Sequence, residues 1–262
     1  MSNKKQRLDV ALHERGLTIS RAKAQGMIMA GEVLVNGSVI DKPGTRVSDE
    51  DEIVLKSKPR FVSRGGEKIA GALVDFNFDV TSLICADVGS STGGFTDCLL
   101  QNGAAKIYAI DVGYGLLDYT LRQDKRVVVM EKTNARYVEK LDEPVDLVVV
   151  DASFISLKIL MPVFKHWLHP QADVIALIKP QFEAGKGDVG KGGVVRDSAI
   201  HERVIMEIVD FSREMGFTIA GLTVSPIKGP AGNVEFLIWL TQGKDIPPLE
   251  NLTEIIQYLT EV

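Results

Sequence analysis

Apolar residues follow two rhythms along this chain, and the change falls near residue 56. In residues 7–31 they bunch as short amphipathic helices bunch them. The stretch "RLDVALHERG" sets Leu8, Val10, Ala11 and Leu12 close together and stops at a glycine, while "SRAKAQGMIMAG" opens on Ser20, a good helix cap, and stops at Gly31. "EVLVNGSVI" then places Asn36-Gly37 between apolar stretches, which predicts a hairpin, because a two-residue turn needs positive φ at both centres. "DEIVLK" supplies one more strand, and "KSKPRF" interrupts the pattern with charge and proline. The expectation is a small α+β domain over residues 1–58, a linker near 56–62 and a second domain over residues 59–262.

The second rhythm alternates compact apolar runs with helical stretches. "LICADV", "KIYAID", "VVVME", "DLVVVD", "VIALIK", "FTIAGLTVS" and "VEFLIWL" read as seven strands, with helices clearest at 68–76, 94–100, 155–167 and 197–215. Strand and helix in alternation predict an α/β domain with a Rossmann-like parallel sheet covered on both faces.

Composition narrows the class. The chain has 262 residues, a net charge of −5 and only two cysteines, Cys85 and Cys98, without CxxC spacing, so neither a disulfide framework nor a zinc site is expected. His13, His166, His169 and His201 show no metal-ligand spacing that includes a carboxylate or cysteine, so no metal is expected. The N-terminus lacks the apolar core of a secretory signal, and the most apolar long window, 147–164, is interrupted by Asp151 and Lys158, which predicts a cytoplasmic protein with no membrane span. The charge is uneven: residues 1–60 carry 11 Lys/Arg against 8 Asp/Glu, whereas the remainder carries 19 against 27. A mildly basic head thus precedes an acidic body.

The first strand of the larger domain runs directly into "DVGSSTGGFTDCLL", residues 87–100. A glycine-rich turn between strand and helix puts bare backbone N–H groups at the carboxyl edge of the sheet, where a small molecule binds. Gly89, Gly93 and Gly94 do not match the dinucleotide spacing, so Asp87, Gly89, Ser90, Ser91, Gly93, Gly94 and Phe95 are expected to serve another ligand. Asp111 ends the next strand, where a carboxylate accepts hydrogen bonds from two ribose hydroxyls, and Asn134 follows the third as an adenine partner. S-adenosylmethionine has both a ribose and a cationic end suited to Asp87. "GKGDVGKGG", residues 185–193, nearly spells a phosphate-binding loop, but Gly192 stands where the magnesium-binding hydroxyl belongs. It reads instead as a basic loop whose Lys186 and Lys191 meet substrate phosphates.

Charged residues also end or interrupt apolar runs, and buried charges need partners. Lys179 ends "VIALIK", Asp151 ends "DLVVVD", Lys68 lies in "SRGGEK", and Glu235 sits within the apolar "GNVEFLIWL". These four resemble the Lys-Asp-Lys-Glu tetrad of the FtsJ-type RNA 2′-O-methyltransferases. The whole chain resembles the TlyA family of ribosomal RNA methyltransferases, historically labelled hemolysins, through "RLDVAL", "SRGGEK", "DVGSSTGGFTDCLLQNGA", "DLVVVDASFISL", "LIKPQFE" and "GGVVRD". "RLD" with "SRAKAQGMIMAGEVLVNG" is similar to the small RNA-binding domain named after ribosomal protein S-four.

The resemblance implies methyl transfer from S-adenosylmethionine to a ribose 2′-hydroxyl, of cytidine, in ribosomal RNA. Lys68, Asp151, Lys179 and Glu235 would then be catalytic, with Lys179 the general base. Arg7, Arg21 and Lys23, and in the larger domain Arg64, Lys186 and Lys191, would contact RNA. Two alternatives stay open at this level: a membrane-active hemolysin, and an RNA-binding protein without turnover.

Overall fold

The computed structural model describes residues 5–56 and 59–261. It separates into two compact units, Met1–Pro59 and Arg60–Val262. Residues 57 and 58, within the expected linker, lie outside the described residues.

In the smaller unit the apolar faces of α1 (Leu8–Glu14) and α2 (Arg21–Met29) close a core of Leu8, Leu12, Ala24, Ile28, Val33 and Val47. Ser20 caps α2 by accepting from the Lys23 amide at 3.2 Å, satisfying one of the orphan donors of a helix start. Strand β1 (Gln6–Arg7) pairs antiparallel with β4 (Arg46–Val47), and β2 (Val33–Val35) lies between β3 (Ser38–Val39) and β5 (Ile53–Leu55). The β2–β3 turn has φ 50° at Asn36 and 78° at Gly37, the backbone that the Asn-Gly pair predicts.

The larger unit is built on a seven-stranded sheet. In chain order its strands are β6 (Ile84–Val88), β7 (Lys106–Ile110), β8 (Val127–Met130), β9 (Val145–Val150), β10 (Leu168–Ile178), β11 (Thr218–Val224) and β12 (Phe236–Gln242). Their order across the sheet is β11-β12-β10-β9-β6-β7-β8. Both faces are buried. Along β9, Leu147 and Val149 enter one apolar cluster with Ile69 and Leu99, while Val148 and Val150 enter the other with Phe164 and Trp167. A strand covered on both sides therefore reads as an unbroken apolar run. Helices α3 (Gly65–Asp75) and α4 (Gly94–Gln101) cover the first face; α6 (Leu157–Phe164) and α8 (Ser198–Glu214) cover the second, with α9 (Leu252–Thr260) beside them. The short α5 (Tyr119–Gln123) and α7 (Pro180–Glu183) follow β7 and β10.

The expectation of an all-parallel sheet needs one correction. Strand β12 runs antiparallel to both β10 and β11. Residues 225–235, between β11 and β12, hold no helix, and only a parallel return requires a crossover of that kind. The reversal matters for position: the start of β12 lies at the same edge as the ends of the parallel strands. Among the described residues no helix is long and apolar enough to cross a membrane.

Candidate active site

The site begins at the end of β6. Gly89 has φ 86°, and a Cβ there would stand 2.7 Å from the carbonyl oxygen of Asp151, so only glycine lets the two strand ends approach this closely. Gly93, at φ 97°, caps α4, and a Cβ on Gly94 would meet the Gly66 amide nitrogen at 2.7 Å. The loop is tied to its neighbour: the Gly89 and Ser90 amides donate to the Ile110 carbonyl at 2.9 and 3.1 Å, and the Ser91 amide donates to Asp111 at 2.8 Å.

Asp111 lines a cavity of about 770 Å³ together with Gly89, Ser91, Asn134 and Phe154. Its second oxygen accepts from the Gly113 amide at 2.7 Å. A carboxylate oxygen retains another lone pair after one such bond, so Asp111 is oriented by the backbone and still able to accept from a ribose. Asn134 accepts from the Arg136 amide at 3.1 Å and faces the same space. Of the other loop residues, Ser90, Gly94 and Phe95 border a smaller adjoining cavity with Arg64 and Lys68, whereas Gly93 is backed by Leu117 and Leu121.

Asp87 stands elsewhere than expected. It is fully buried beneath the loop, lines none of these cavities, and accepts from the Thr96 amide at 3.0 Å and hydroxyl at 2.6 Å. Its other oxygen has no hydrogen-bond partner among the described residues. Desolvation pushes this carboxyl up to about 7, aided by Asp151 and Asp111 and opposed by Thr96. It braces the loop to α4 from below the cavity walls.

A second cavity, of about 640 Å³, adjoins the first. The two share Gly89, Ser91, Asp151, Ser153, Phe154 and Phe182. Four ionisable side chains line this second cavity, and one of them, Asp151, lies on its boundary with the first. The last β10–β12 pair is Ile178 with Phe236, and Lys179 and Glu235 follow one residue beyond it on either strand. Glu235 thus stands just before β12, not within it. Glu235 Oε2 accepts from Lys68 Nζ at 2.6 Å, Lys68 Nζ lies 3.9 Å from Asp151 Oδ2, and Asp151 Oδ1 lies 2.5 Å from Lys179 Nζ. Charges alternate along the row, so two ammonium and two carboxylate groups balance in a space where an unpaired one would be costly. Both lysines and Glu235 are buried.

Several residues at this junction have no marked signal in the sequence. Ser153 Oγ accepts from Lys179 Nζ at 3.0 Å, and Gln181 Nε2 reaches Glu235 Oε1 at 3.3 Å. Phe154 is 90% exposed with φ 63°, its ring 4.9 Å from that of Phe182. An exposed aromatic in a left-handed backbone conformation is uncommon for a bulky residue and points to function. Asn233 is buried and bridges two loops, accepting from the Val195 amide at 2.9 Å and donating to the Gly193 carbonyl at 2.9 Å.

The basic residues expected to meet RNA are divided between the two units. In the smaller unit Arg7 and Arg21 both donate to Asp9, a fully buried carboxylate, each at 2.9 Å through Nε. The Arg7 guanidinium, with Gln25 and Arg21, holds that carboxyl far below its ordinary range. Both arginines remain about half exposed, and Lys23 is exposed. In the larger unit Lys191 is exposed within a loop whose Val189, Gly192 and Gly193 line the second cavity, while the Lys186 side chain lies outside the described residues.

Comparison with known proteins gives this geometry a lineage. Residues 61–242 match the FtsJ-like methyltransferase model and residues 6–53 the S4 domain. A Bacillus subtilis protein provisionally named an rRNA methyltransferase, YqxC, is 48% identical over 95% of this chain and 92% of its own. The 16S/23S rRNA (cytidine-2′-O)-methyltransferase TlyA of Mycobacterium tuberculosis is 46% identical over 91% of each chain. A Streptococcus thermophilus protein solved under the provisional label of hemolysin superposes with a TM-score of 0.74 at 43% identity, covering 99% of this chain and 96% of that one. The chain belongs to the FtsJ-like methyltransferase family, in the branch that its TlyA relatives occupy.

Proposed function

We propose that this protein transfers a methyl group from S-adenosylmethionine to the ribose 2′-hydroxyl of a cytidine in ribosomal RNA. The observation that carries the proposal is the Glu235–Lys68–Asp151–Lys179 row, which lines one cavity and reaches the boundary with the other at Asp151. One cavity fits the donor: Asp111 offers lone pairs to its ribose, Asn134 lies near the adenine end, and Gly89 lets the loop close against Asp151 at the cavity wall. When bound, S-adenosylmethionine supplies a methyl group already activated by its sulfonium. The protein's task is therefore alignment and proton removal, since a ribose hydroxyl is a weak acid and a poor nucleophile.

In this reading Lys179 takes the hydroxyl proton at Nζ, and Asp151 holds that nitrogen in place. Lys68 and Glu235 keep the row balanced and orient Asp151 from its other side. Phe154 and Phe182 offer aromatic faces at the mouth on which an unstacked base can rest. Residues 1–58 serve as the RNA-binding domain and 59–262 as the methyltransferase domain, with Arg7, Arg21, Lys23, Arg64, Lys186 and Lys191 contacting phosphates. A ribosomal substrate implies a cytoplasmic site of action.

Transfer of labelled methyl to ribosomal subunits lacking the modification tests this. Each subunit is assayed separately and the product nucleotide mapped. The proposal expects label on a cytidine 2′-oxygen and at least a ~100-fold slower rate for Lys179→Ala, the lower end of what a positioned general base contributes. Label on a base atom, or an unimpaired variant, would overturn it.

A further inference from the structure

After β9 the chain passes through Asp151, Ala152 and Ser153 to the left-handed Phe154, presenting two oxygen acceptors to one nitrogen. Asp151 Oδ1 lies 2.5 Å and Ser153 Oγ 3.0 Å from Lys179 Nζ. To act as a base the Lys179 ammonium first gives one proton to solvent; the neutral amine that results has two N–H bonds and one lone pair, set tetrahedrally around nitrogen. Anchored by Asp151 alone, the second N–H and the lone pair can exchange places by rotation about the Cε–Nζ bond. A second acceptor removes that ambiguity by taking the other N–H. Only one direction is then left for the lone pair.

We propose that Ser153 is a positioning residue for the reaction: with Asp151 it fixes the Lys179 amine so that its lone pair faces the incoming hydroxyl. The inference rests on Lys179 being the general base. Ser153 borders both cavities, which is where the donor and acceptor must meet. When the proton moves, the ribose O–H bond breaks and an N–H bond forms in the lone-pair direction; the freed oxygen pair would form the O–CH3 bond as the donor's S–CH3 bond breaks and its sulfur leaves as a thioether, and the contacts to Asp151 and Ser153 persist. Nothing is oxidised or reduced. Ser153 is exposed, so removing its hydroxyl opens no hole in the core.

The test is single- and multiple-turnover methyl transfer to unmodified ribosomal subunits by Ser153→Ala, Ser153→Thr, Lys179→Ala and the Ser153→Ala/Lys179→Ala double variant, with melting temperatures alongside. The amine gains its charge as it takes the proton, so a lost hydrogen bond weighs most in the transition state and predicts a kcat about 10- to 100-fold lower for Ser153→Ala, with both KM values unchanged within about twofold. Ser153→Thr keeps the hydroxyl and restores most of the rate. In the Lys179→Ala background the serine substitution has no further effect, because the group it positions is gone. Wild-type kcat in Ser153→Ala, a defect confined to KM, or the same fold-loss with and without Lys179 would overturn the role of Ser153 while leaving that of Lys179 intact. Full activity of Lys179→Ala would instead overturn the base assignment, and the serine's role with it.

Discussion

Replacing Glu235 by glutamine removes one of the two negative charges in the buried row and keeps the side chain's size. The lost contact is the 2.6 Å pair with Lys68, whose direct attraction is about 6 kcal/mol at an effective dielectric of about 20. Net losses for breaking such a pair run at about 3–5 kcal/mol. Asp151 remains 3.9 Å from the same ammonium, which places this case near the lower end, about 3 kcal/mol. The introduced amide keeps hydrogen bonds but not the charge: its oxygen can still accept from Lys68 while its NH2 donates to Gln181 Oε1, a buried acceptor without a partner among the described residues, once the Gln181 amide turns over. For a domain of this size the melting temperature should fall by about 6–12 °C, at about 2–4 °C per kcal/mol. Thermal unfolding followed by circular dichroism measures it. Pairing Glu235→Gln with Lys68→Met removes both charges and should recover most of the stability but none of the methyl transfer. A single variant melting with the wild type, or a double variant no more stable than the single, would refute the picture of a balanced buried row.

Two further outcomes follow from the same geometry. Asp87 titrates at about 7 in the folded protein against an ordinary 3.8, so between those values the folded state holds a proton that the unfolded state has lost. Its contribution to stability therefore declines as pH rises from about 4 to 7 and is flat above, a change of up to roughly 4 kcal/mol; urea midpoints across this range should show the decline weakened in Asp87→Asn, and an unchanged profile would contradict the assignment. Phe154→Ala should leave the urea midpoint almost unaltered, since the side chain is 90% exposed, yet raise the KM for RNA about 5- to 100-fold if a base stacks there; an unchanged KM would remove that role.

What was legible in the sequence was what burial and backbone chemistry write locally. "DLVVVD" declares a strand because Leu147, Val148, Val149 and Val150 are all buried on one face or the other, and Asn36-Gly37 declares a turn because both residues must take positive φ. Direction is not written there: an apolar run such as "FLIWL" fits a parallel or an antiparallel place equally well, and the reversal of β12 emerges only from the helix-free connection before it. Strand β10 begins at Leu168, but its polar His169 and Gln171 fall in a register shift where neither neighbouring strand pairs with them, so the apolar pattern announces the strand only where regular pairing starts, at Ala172. Asp87 heads its loop in sequence, yet whether its carboxylate points up to a ligand or down to Thr96 depends on the placing of α4. Ser153, Gln181 and Asn233 were silent for a similar reason. Their roles come from partners 26, 54 and 38 positions away, which no local motif encodes.

The central claim is that the nucleoside hydroxyl meets Lys179 at the boundary of the two cavities. A crystal structure with S-adenosylhomocysteine and a short cytidine-containing RNA tests it most directly. The account predicts the thioether on the Asp111 side and the target 2′-oxygen within about 3 Å of Lys179 Nζ, the reach of a hydrogen bond. A 2′-oxygen bound away from that nitrogen, with another side chain at hydrogen-bond distance, would contradict it.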